Sequence, residues 1–132
     1  MPDTKKIYVF FNPHPKNEYR DDCVKRALVK FTDRSYAEIS DGLREHRKIT
    51  GVRCFNDNPN PDSYATRVLG LGHISFGENE RMSVENFCAR FPKGKYIAST
   101  NGHWVAIVDG IIYDTFDCSD FTVYSYYTQR EK

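Results

Sequence analysis

The pattern of apolar residues near the start of the chain predicts a strand and then an amphipathic helix. Residues 6–11, KIYVFF, are rich in aromatic and β-branched side chains, as is typical of a strand. In residues 21–31, apolar side chains recur with the i, i+3, i+4, i+7 spacing of one helix face. Asp21 or Asp22 suits the N-cap, because its carboxylate can accept hydrogen bonds from the first-turn N–H groups. The predicted face consists of Val24, Ala27, Leu28 and Phe31.

The next stretch, residues 33–49, predicts a second helix with one apolar face. Gly42 weakens this prediction, because glycine is a poor helix former. His46 lies in the charged sequence REHRK, so we expect it on a solvated face. The apolar face consists of Tyr36, Ile39 and Leu43.

Two short helices are predicted in the middle of the chain. Asp62 or Ser63 is expected to cap the first, which runs through residue 69. Residues 70–82 show no clear period, and their glycines suggest an irregular connection. Ser83 is expected to cap the second helix, residues 84–91, which stops before a proline.

The last third of the chain predicts antiparallel strands. Residues 93–100 and 121–127 each read as a strand, and residues 103–117 read as a hairpin around an Asp-Gly turn. Helices followed by antiparallel strands indicate an α+β fold. We expect one domain over residues 1–132, with N-terminal helices packed on a C-terminal antiparallel sheet of about four to five strands.

The hairpin register identifies a histidine and a carboxylate that share one sheet face. If the Asp-Gly pair forms a two-residue turn, Val108 faces Ile111 across the hairpin. Side chains alternate between faces along a strand, so His103 and Asp114 lie on one face, one diagonal step apart. Asp117 falls on the opposite face unless a bulge intervenes. A one-residue slip in register would reverse the ranking of Asp114 above Asp117.

Composition and charge narrow the classes of partner. The 132 residues are 39% hydrophobic and 14% aromatic, and 19 basic against 18 acidic residues give a net charge of +1. This balance gives no support to nucleic-acid or anionic-membrane binding. No segment approaches the roughly 20 apolar residues that span a bilayer, and the N-terminal apolar run lacks a signal-peptide cleavage site. We therefore expect no nucleic-acid partner, no membrane association and a cytoplasmic location.

The four cysteines are expected to be reduced in that location. They are Cys23, Cys54, Cys88 and Cys118, and none forms a C-x-x-C pair. A zinc site therefore has weak support, and we predict no metal and no cofactor. A secreted domain with two disulfides is the alternative. Cys118 is expected to contribute packing or a hydrogen bond rather than chemistry.

Cys23 is the candidate nucleophile, because it lies in the first turn of the first predicted helix. The free N–H groups and dipole of a helix N-terminus favour an anion, and a thiolate is the reactive form of cysteine. A histidine within reach can take the thiol proton, and a third group can orient the imidazole. His103 and Asp114 suit these two roles. Considered alone, Cys23 reads as an ordinary buried cysteine; its position and the late hairpin favour the nucleophile.

Two motifs carry a resemblance to known proteins. DCVKRAL, residues 22–28, opens the first helix, and GHWVAIVDGIIYDTFDCSD, residues 102–120, forms the hairpin. The order cysteine, histidine and acid resembles that of papain-like cysteine peptidases, and the Asp-Cys pair is similar to that of double-glycine leader peptidases. Both motifs, with an Asn-Pro loop before them, resemble those of small phage and prophage proteins. The resemblance implies a papain-like fold, with catalysis at Cys23, His103 and Asp114.

The chain departs from the papain-like pattern at the oxyanion hole. Papain-like enzymes carry a glutamine several residues before the cysteine, and its amide helps to bind the oxyanion. Asn17 lies six positions before Cys23 and offers the same amide on a shorter side chain. Asn12 is a further option.

Three functions remain open at this point. The first is a thiol-dependent hydrolase, a peptidase, isopeptidase or amidase, that acts on a protein or peptide through an acyl-enzyme. Deamidation and acyl transfer would use the same intermediate. The second is a non-catalytic binding module on the same fold, such as a phage protein that blocks a host factor in the bacterial cytoplasm. The third is a structural domain without a site.

Overall fold

Seven strands and four α-helices form the described part of the chain, which comprises residues 7–18, 22–50 and 59–130 of a computed structural model. The first residue of the predicted N-terminal strand, the alternative cap Asp21 and Cys54 lie outside these residues. The helices are α1 (Cys23–Thr32), α2 (Tyr36–Thr50), α3 (Pro59–Ser63) and α4 (Val84–Arg90). The strands are β1 (Tyr8–Phe10), β2 (Leu71–Ser75), β3 (Met82–Ser83), β4 (Lys95–Thr100), β5 (His103–Val108), β6 (Ile111–Asp114) and β7 (Thr122–Gln129).

The strands form one mixed sheet in the order β1-β6-β5-β4-β7-β2, with β3 also paired to β7. β1 runs parallel to β6, and the other pairs are antiparallel. The predicted α+β class is confirmed, but the prediction of four to five strands was too small. β2 lies inside residues 70–82, which were predicted to be irregular. Its partner is the distant β7, so local sequence carried little signal for this strand.

The predicted hairpin and its register are confirmed. Asp109 and Gly110 both have positive φ, 52° and 76°, as the favoured two-residue hairpin turn requires. Val108 pairs with Ile111, and the ladder continues to Ala106 and Tyr113. This turn and register set which side chains of β5 and β6 share a face.

Helices cover both faces of the sheet. Along β5, Trp104 and Ala106 pack in the same apolar cluster as α1, whereas Val105 and Ile107 pack in the cluster that contains α4. This alternation follows from the two-residue period of a strand. α1 lies mainly against β5 and also contacts β4 and β6, so the N-terminal end of α1 is held beside the central strands.

The predicted face of α1 is buried, but its cap differs from the prediction. Asp22 occupies the N-cap position and makes no side-chain hydrogen bond to the first turn. Its carboxylate instead binds Arg26 and Tyr36. The buried face consists of Val24, Ala27, Leu28 and Phe31, as predicted.

In α2, two positions with unusual sequence features have packing explanations. A Cβ at Gly42 would lie only 2.3 Å from the hydroxyl oxygen of Tyr64, so glycine permits this close approach. His46 was predicted to lie on a solvated face, and this was wrong: it is 8% exposed. Its Nε2 lies 2.8 Å from Ser63 Oγ at the end of α3, and the ring of Tyr64 packs against the imidazole.

The two short-helix predictions had different outcomes. α3 begins at Pro59 and continues into a π-helical turn, Tyr64–Val68, so Asp62 and Ser63 lie within the helical segment and do not cap it. Ser83 is the N-cap of α4 as predicted, because its Oγ accepts a hydrogen bond of 3.1 Å from the backbone N–H of Asn86. Among the helices of the described residues, none combines the length and apolar character that crossing a membrane requires.

Candidate active site

A cavity of about 300 Å³ opens where the N-terminus of α1 meets the β4–β5 turn. The thiol-bearing Cys23 and the imidazole of His103 both line it. Trp104 lines it as well, although the side chain is 5% exposed and packs on Tyr127 in the core. The remaining lining residues are Val24, Ser99, Thr100, Asn101, Gly102 and Tyr124.

Cys23 is the first residue of α1 and is 4% exposed. The thiol therefore lies at the end of the helix where the free N–H groups stabilise negative charge. The imidazole of His103 lines the same cavity, and the nearby thiol helps to raise the pKa of His103. The structure thus places the helix N-terminus, the thiol and the imidazole at one cavity.

His103, the first residue of β5, is held by a carboxylate on the neighbouring strand. Its Nε2 lies 2.6 Å from Asp114 Oδ2 and donates to it when that nitrogen carries the proton. The rings of Phe116 and Phe121 pack on the imidazole, with centroid separations of 5.1 and 5.7 Å. Because Nε2 is engaged, Nδ1 is the ring nitrogen that can exchange a proton with Cys23.

Asp114, and not Asp117, is the carboxylate that contacts His103. Asp114 is 1% exposed, and the backbone N–H of Thr115 donates to its Oδ1 over 2.7 Å. Asp117 is exposed and accepts a hydrogen bond from the backbone N–H of Ser119. The register of the hairpin therefore assigns the two carboxylates to different surroundings.

A buried arginine extends the site beyond these three residues. Arg26 NH2 lies 2.9 Å from Asp114 Oδ1, and Arg26 NH1 lies 2.5 Å from Asp22 Oδ1. The hydroxyl of Tyr36 donates to the other Asp22 oxygen over 2.8 Å. Sequence reasoning missed this chain of contacts. The available signal was the i, i+4 spacing of an acid and an arginine inside the motif DCVKRAL.

Burial and hydrogen bonding act in opposite directions on the ionisation of the His103–Asp114 pair. Burial alone would lower the pKa of His103, but its hydrogen bonds with Asp114, Cys118 and Cys23 and the charge of Asp114 raise that pKa to about 11. Burial would raise the pKa of Asp114, yet the His103 hydrogen bond and charge, the Thr115 N–H and Arg26 hold it below its ordinary value. The pair is therefore imidazolium and carboxylate at neutral pH.

The raised pKa of His103 predicts that stability falls in alkaline solution. A histidine with a raised folded-state pKa contributes its full stabilisation below about pH 6.5 and loses it as the pH rises through about 11. We expect the wild type to lose more unfolding free energy than His103→Gln between pH 6 and pH 10. Urea denaturation of both proteins measures this. Lysine and tyrosine titrations are shared by the two proteins, and parallel profiles would contradict the assignment.

Three potential metal ligands lie together in the site. They are His103, Asp114 and Cys118, and the potential ligand atoms of the three side chains lie within 4.8 Å of one another. Cys118 is fully buried and its Sγ is 3.5 Å from Asp114 Oδ2; burial also raises the pKa of this thiol. Asp114 also forms an ion pair with Arg26 and accepts a hydrogen bond from the Thr115 N–H. Cys118 packs and hydrogen-bonds, in line with its expected role.

The asparagines proposed for the oxyanion hole lie in the loop before α1. Asn17 is exposed, has φ 55° and donates its backbone N–H to His14 O; it does not line the cavity. The side chain of Asn12 is engaged within the loop, since it accepts from the His14 N–H and donates to Glu18 O. The intervening residues 19–21 are outside the described part of the chain. The role of Asn17 stays a prediction.

Comparison with known proteins adds no relative to this description. No protein-family model, no curated protein sequence and no solved structure matches the chain.

Proposed function

We propose that the protein is a thiol-dependent hydrolase with a papain-like arrangement of Cys23, His103 and Asp114. The observation that carries the proposal is the arrangement at the cavity: a thiol at a helix N-terminus, an imidazole that lines the same cavity, and a buried carboxylate 2.6 Å from that imidazole. Each group has the neighbour that nucleophilic catalysis requires of it. The motif resemblance to papain-like peptidases supports the same roles.

In the proposed acylation step, the Cys23 sulfur attacks an amide carbonyl carbon. The His103 imidazolium favours the thiolate, and its Nδ1 proton passes to the leaving nitrogen as the C–N bond breaks. The product is an amine and a thioester on Cys23. In deacylation, neutral His103 takes a proton from water, which attacks the thioester carbonyl; the C–S bond breaks and the acid leaves. Asp114 keeps the imidazole in orientation through both steps.

The substrate is proposed to be a peptide or protein. A second groove of about 340 Å³ adjoins the cavity, and the two share Thr100, Asn101 and Tyr124. Asp120, Phe121 and Thr122 also line this groove. An extended chain fits such a continuous depression better than a compact small molecule does. Peptidase, isopeptidase and amidase activities all use the proposed acyl-enzyme.

The direct test of the proposal uses peptide and protein mixtures with mass-spectrometric detection. Wild type and Cys23→Ala are incubated with the same mixtures, and new termini, released side-chain ammonia and acyl transfer products are recorded. Products that form with the wild type and not with Cys23→Ala support the hydrolase. Equal product profiles for the two proteins would contradict it.

Asn17→Ala tests the predicted oxyanion hole. The amide of Asn17 is proposed to act with the backbone N–H of Cys23 on the developing oxyanion, and loss of one such donor slows turnover by about 10²–10³-fold. We expect that loss in turnover with an unchanged rate of Cys23 alkylation, because the thiol itself is unaffected. The exposed Asn86→Ala is the matched control. Unchanged turnover in Asn17→Ala would exclude this donor, and a loss in Asn12→Ala would assign it to Asn12.

A binding module without catalysis is the second candidate, and the phage setting rests on the motif resemblance alone. Large apolar side chains are exposed near the cavity: Phe116 is 43%, Phe121 36% and Tyr124 37% exposed. Clustered exposed aromatic side chains are typical of contact surfaces. This candidate predicts that Cys23→Ala keeps the biological effect, whereas Tyr124→Ala or Phe116→Ala abolishes it.

A further inference from the structure

The motif DCVKRAL contributes more to the site than its cysteine. Asp22 and Arg26 belong to it, and both are buried, with exposures of 6% and 5%. They connect the proposed nucleophile's helix to Asp114 on β6. A buried ion pair is costly to form unless its geometry and hydrogen bonds are good, so its position beside the imidazole is a feature to explain.

We propose that Arg26 is a positioning residue for His103, because it holds Asp114 with one carboxylate oxygen on the guanidinium and the other on the imidazole. This inference rests on the proposed hydrolase activity. It assigns to Arg26 an indirect role, which acts on His103 through Asp114. Arg26 NH2 and the Thr115 N–H bind Oδ1, whereas Oδ2 receives His103 Nε2 and Cys118 Sγ. The two oxygens therefore have separate partners.

The division of partners fixes the carboxylate plane. Without Arg26, Oδ1 would keep only the backbone N–H of Thr115, and the carboxylate would be freer to rotate about its Cβ–Cγ bond. The guanidinium is planar and its donors are fixed relative to one another, so its bond to Oδ1 restricts that rotation. Arg26 and the Thr115 N–H together therefore fix the direction in which Oδ2 points.

The charges of the cluster favour the protonated imidazole. Asp22 and Asp114 supply two negative charges, and Arg26 supplies one positive charge. The cluster is neutral only when His103 carries its second proton. Without Asp22, the arginine charge would act on Asp114 alone and oppose that proton. Cys118 and Cys23 are the other titratable groups in contact with His103.

The second donor nitrogen of the Arg26 guanidinium is connected to α2 through Asp22. Arg26 NH1 binds Asp22 Oδ1, and Asp22 Oδ2 accepts the hydroxyl of Tyr36 at the start of α2. Arg26 therefore uses two different nitrogens for two carboxylates. A lysine has a single ammonium nitrogen and cannot reproduce both contacts in this geometry. Arg26→Lys thus keeps the positive charge and removes the pair of donor nitrogens that bind the two carboxylates.

The test follows the ring nitrogens of His103 by NMR in protein labelled with ¹⁵N-histidine. His103→Gln assigns its signals among the four histidines. In Arg26→Lys we expect the Nε2–H signal to move upfield and its exchange with water to accelerate at least tenfold. We expect Cys23 alkylation at pH 6.5 to slow about tenfold. The control is Arg44→Lys, an exposed arginine paired with Asp41, which should change neither.

Unchanged His103 signals and alkylation in a folded Arg26→Lys, with only lower stability, would overturn the inference. If Arg26→Lys does not fold, Asp22→Asn decides, because it keeps the side-chain shape and removes one negative charge. We expect the His103 titration midpoint to move downward in Asp22→Asn; an unchanged midpoint overturns the inference. The NMR measurement needs no substrate, so its outcome is separate from any failure to find Cys23-dependent products.

Discussion

Cys23→Ala is expected to reduce hydrolysis by at least about 10⁴-fold, the largest effect of any single substitution on activity. Removing the nucleophile of a comparable triad costs as much as removing the whole triad, because the remaining groups have no atom to activate. The substitution removes a small side chain that is 4% exposed, so the fold should persist. Initial rates on a substrate found with the wild type measure the effect.

Cys88→Ala is the matched control for the nucleophile. Cys88 is also free and 4% exposed, but it lies on α4 within the other apolar cluster. Burial, with the nearby Cys118, raises the pKa of its thiol to about 12, so it is not a thiolate at neutral pH. Cys88→Ala should keep near wild-type activity. Residual activity in Cys23→Ala close to that of the wild type would contradict the assignment.

Asp114→Ala is expected to destabilise the protein by about 3–5 kcal/mol, because it leaves the buried Arg26 and His103 without their shared anion. Both cations lie within hydrogen-bonding distance of this carboxylate, at 2.9 and 2.6 Å. Asp114 is 1% exposed, so water cannot readily replace the lost carboxylate. Urea unfolding at pH 7 measures the change in free energy. Turnover should fall as well, since the imidazole loses its orientation.

Asp117→Ala is the control for the carboxylate. Asp117 is exposed and bonds only the Ser119 N–H among the described hydrogen bonds, and such surface changes usually stay within about 0.5 kcal/mol. A loss of stability or turnover in Asp117→Ala equal to that in Asp114→Ala would contradict the hairpin register as the basis of the site.

The hairpin was predictable because its information is local. An Asp-Gly pair between apolar runs specifies a two-residue turn, and the turn specifies the register. The register in turn places Asp114 on the face of His103, which agrees with their 2.6 Å contact. The face of α1 was predictable for a similar reason, because its period is contained in eleven consecutive residues.

Features that depend on distant partners were not predictable from the pattern. β2 has glycine and histidine in its short sequence and exists through pairing with β7, more than fifty residues later. His46 lies in a charged sequence, and its contacts with Ser63 and Tyr64 join it to residues 17 and 18 positions later. Gly42 weakened the helix prediction, although the close ring of Tyr64 requires it.

The sequence identified only part of the candidate site, because some of its contacts join residues that are distant in the chain. The thiol, the imidazole and the carboxylate were identified from a helix start and a hairpin. Arg26 was assigned to α1 without a role, because its partner Asp114 is 88 residues away. Asp21 or Asp22 was expected to cap the helix; Asp22 occupies that position, but its carboxylate binds Arg26 and Tyr36 instead of the first-turn N–H groups. Local sequence therefore predicted the N-cap position of Asp22 but not the hydrogen-bond partners of its carboxylate.

The most direct test of the central claim is the pH dependence of Cys23 alkylation by iodoacetamide in the wild type and in His103→Ala. Peptide mass spectrometry separates Cys23 from the other thiols. We expect the wild-type rate at pH 6.5 to stay within about threefold of its rate at pH 9. An ordinary thiol, which titrates near 8.5, slows about 75-fold over that range, and we expect this for His103→Ala. If the Cys23 alkylation rate rose equally steeply with pH in the wild type and in His103→Ala, this result would contradict an activated Cys23–His103 pair.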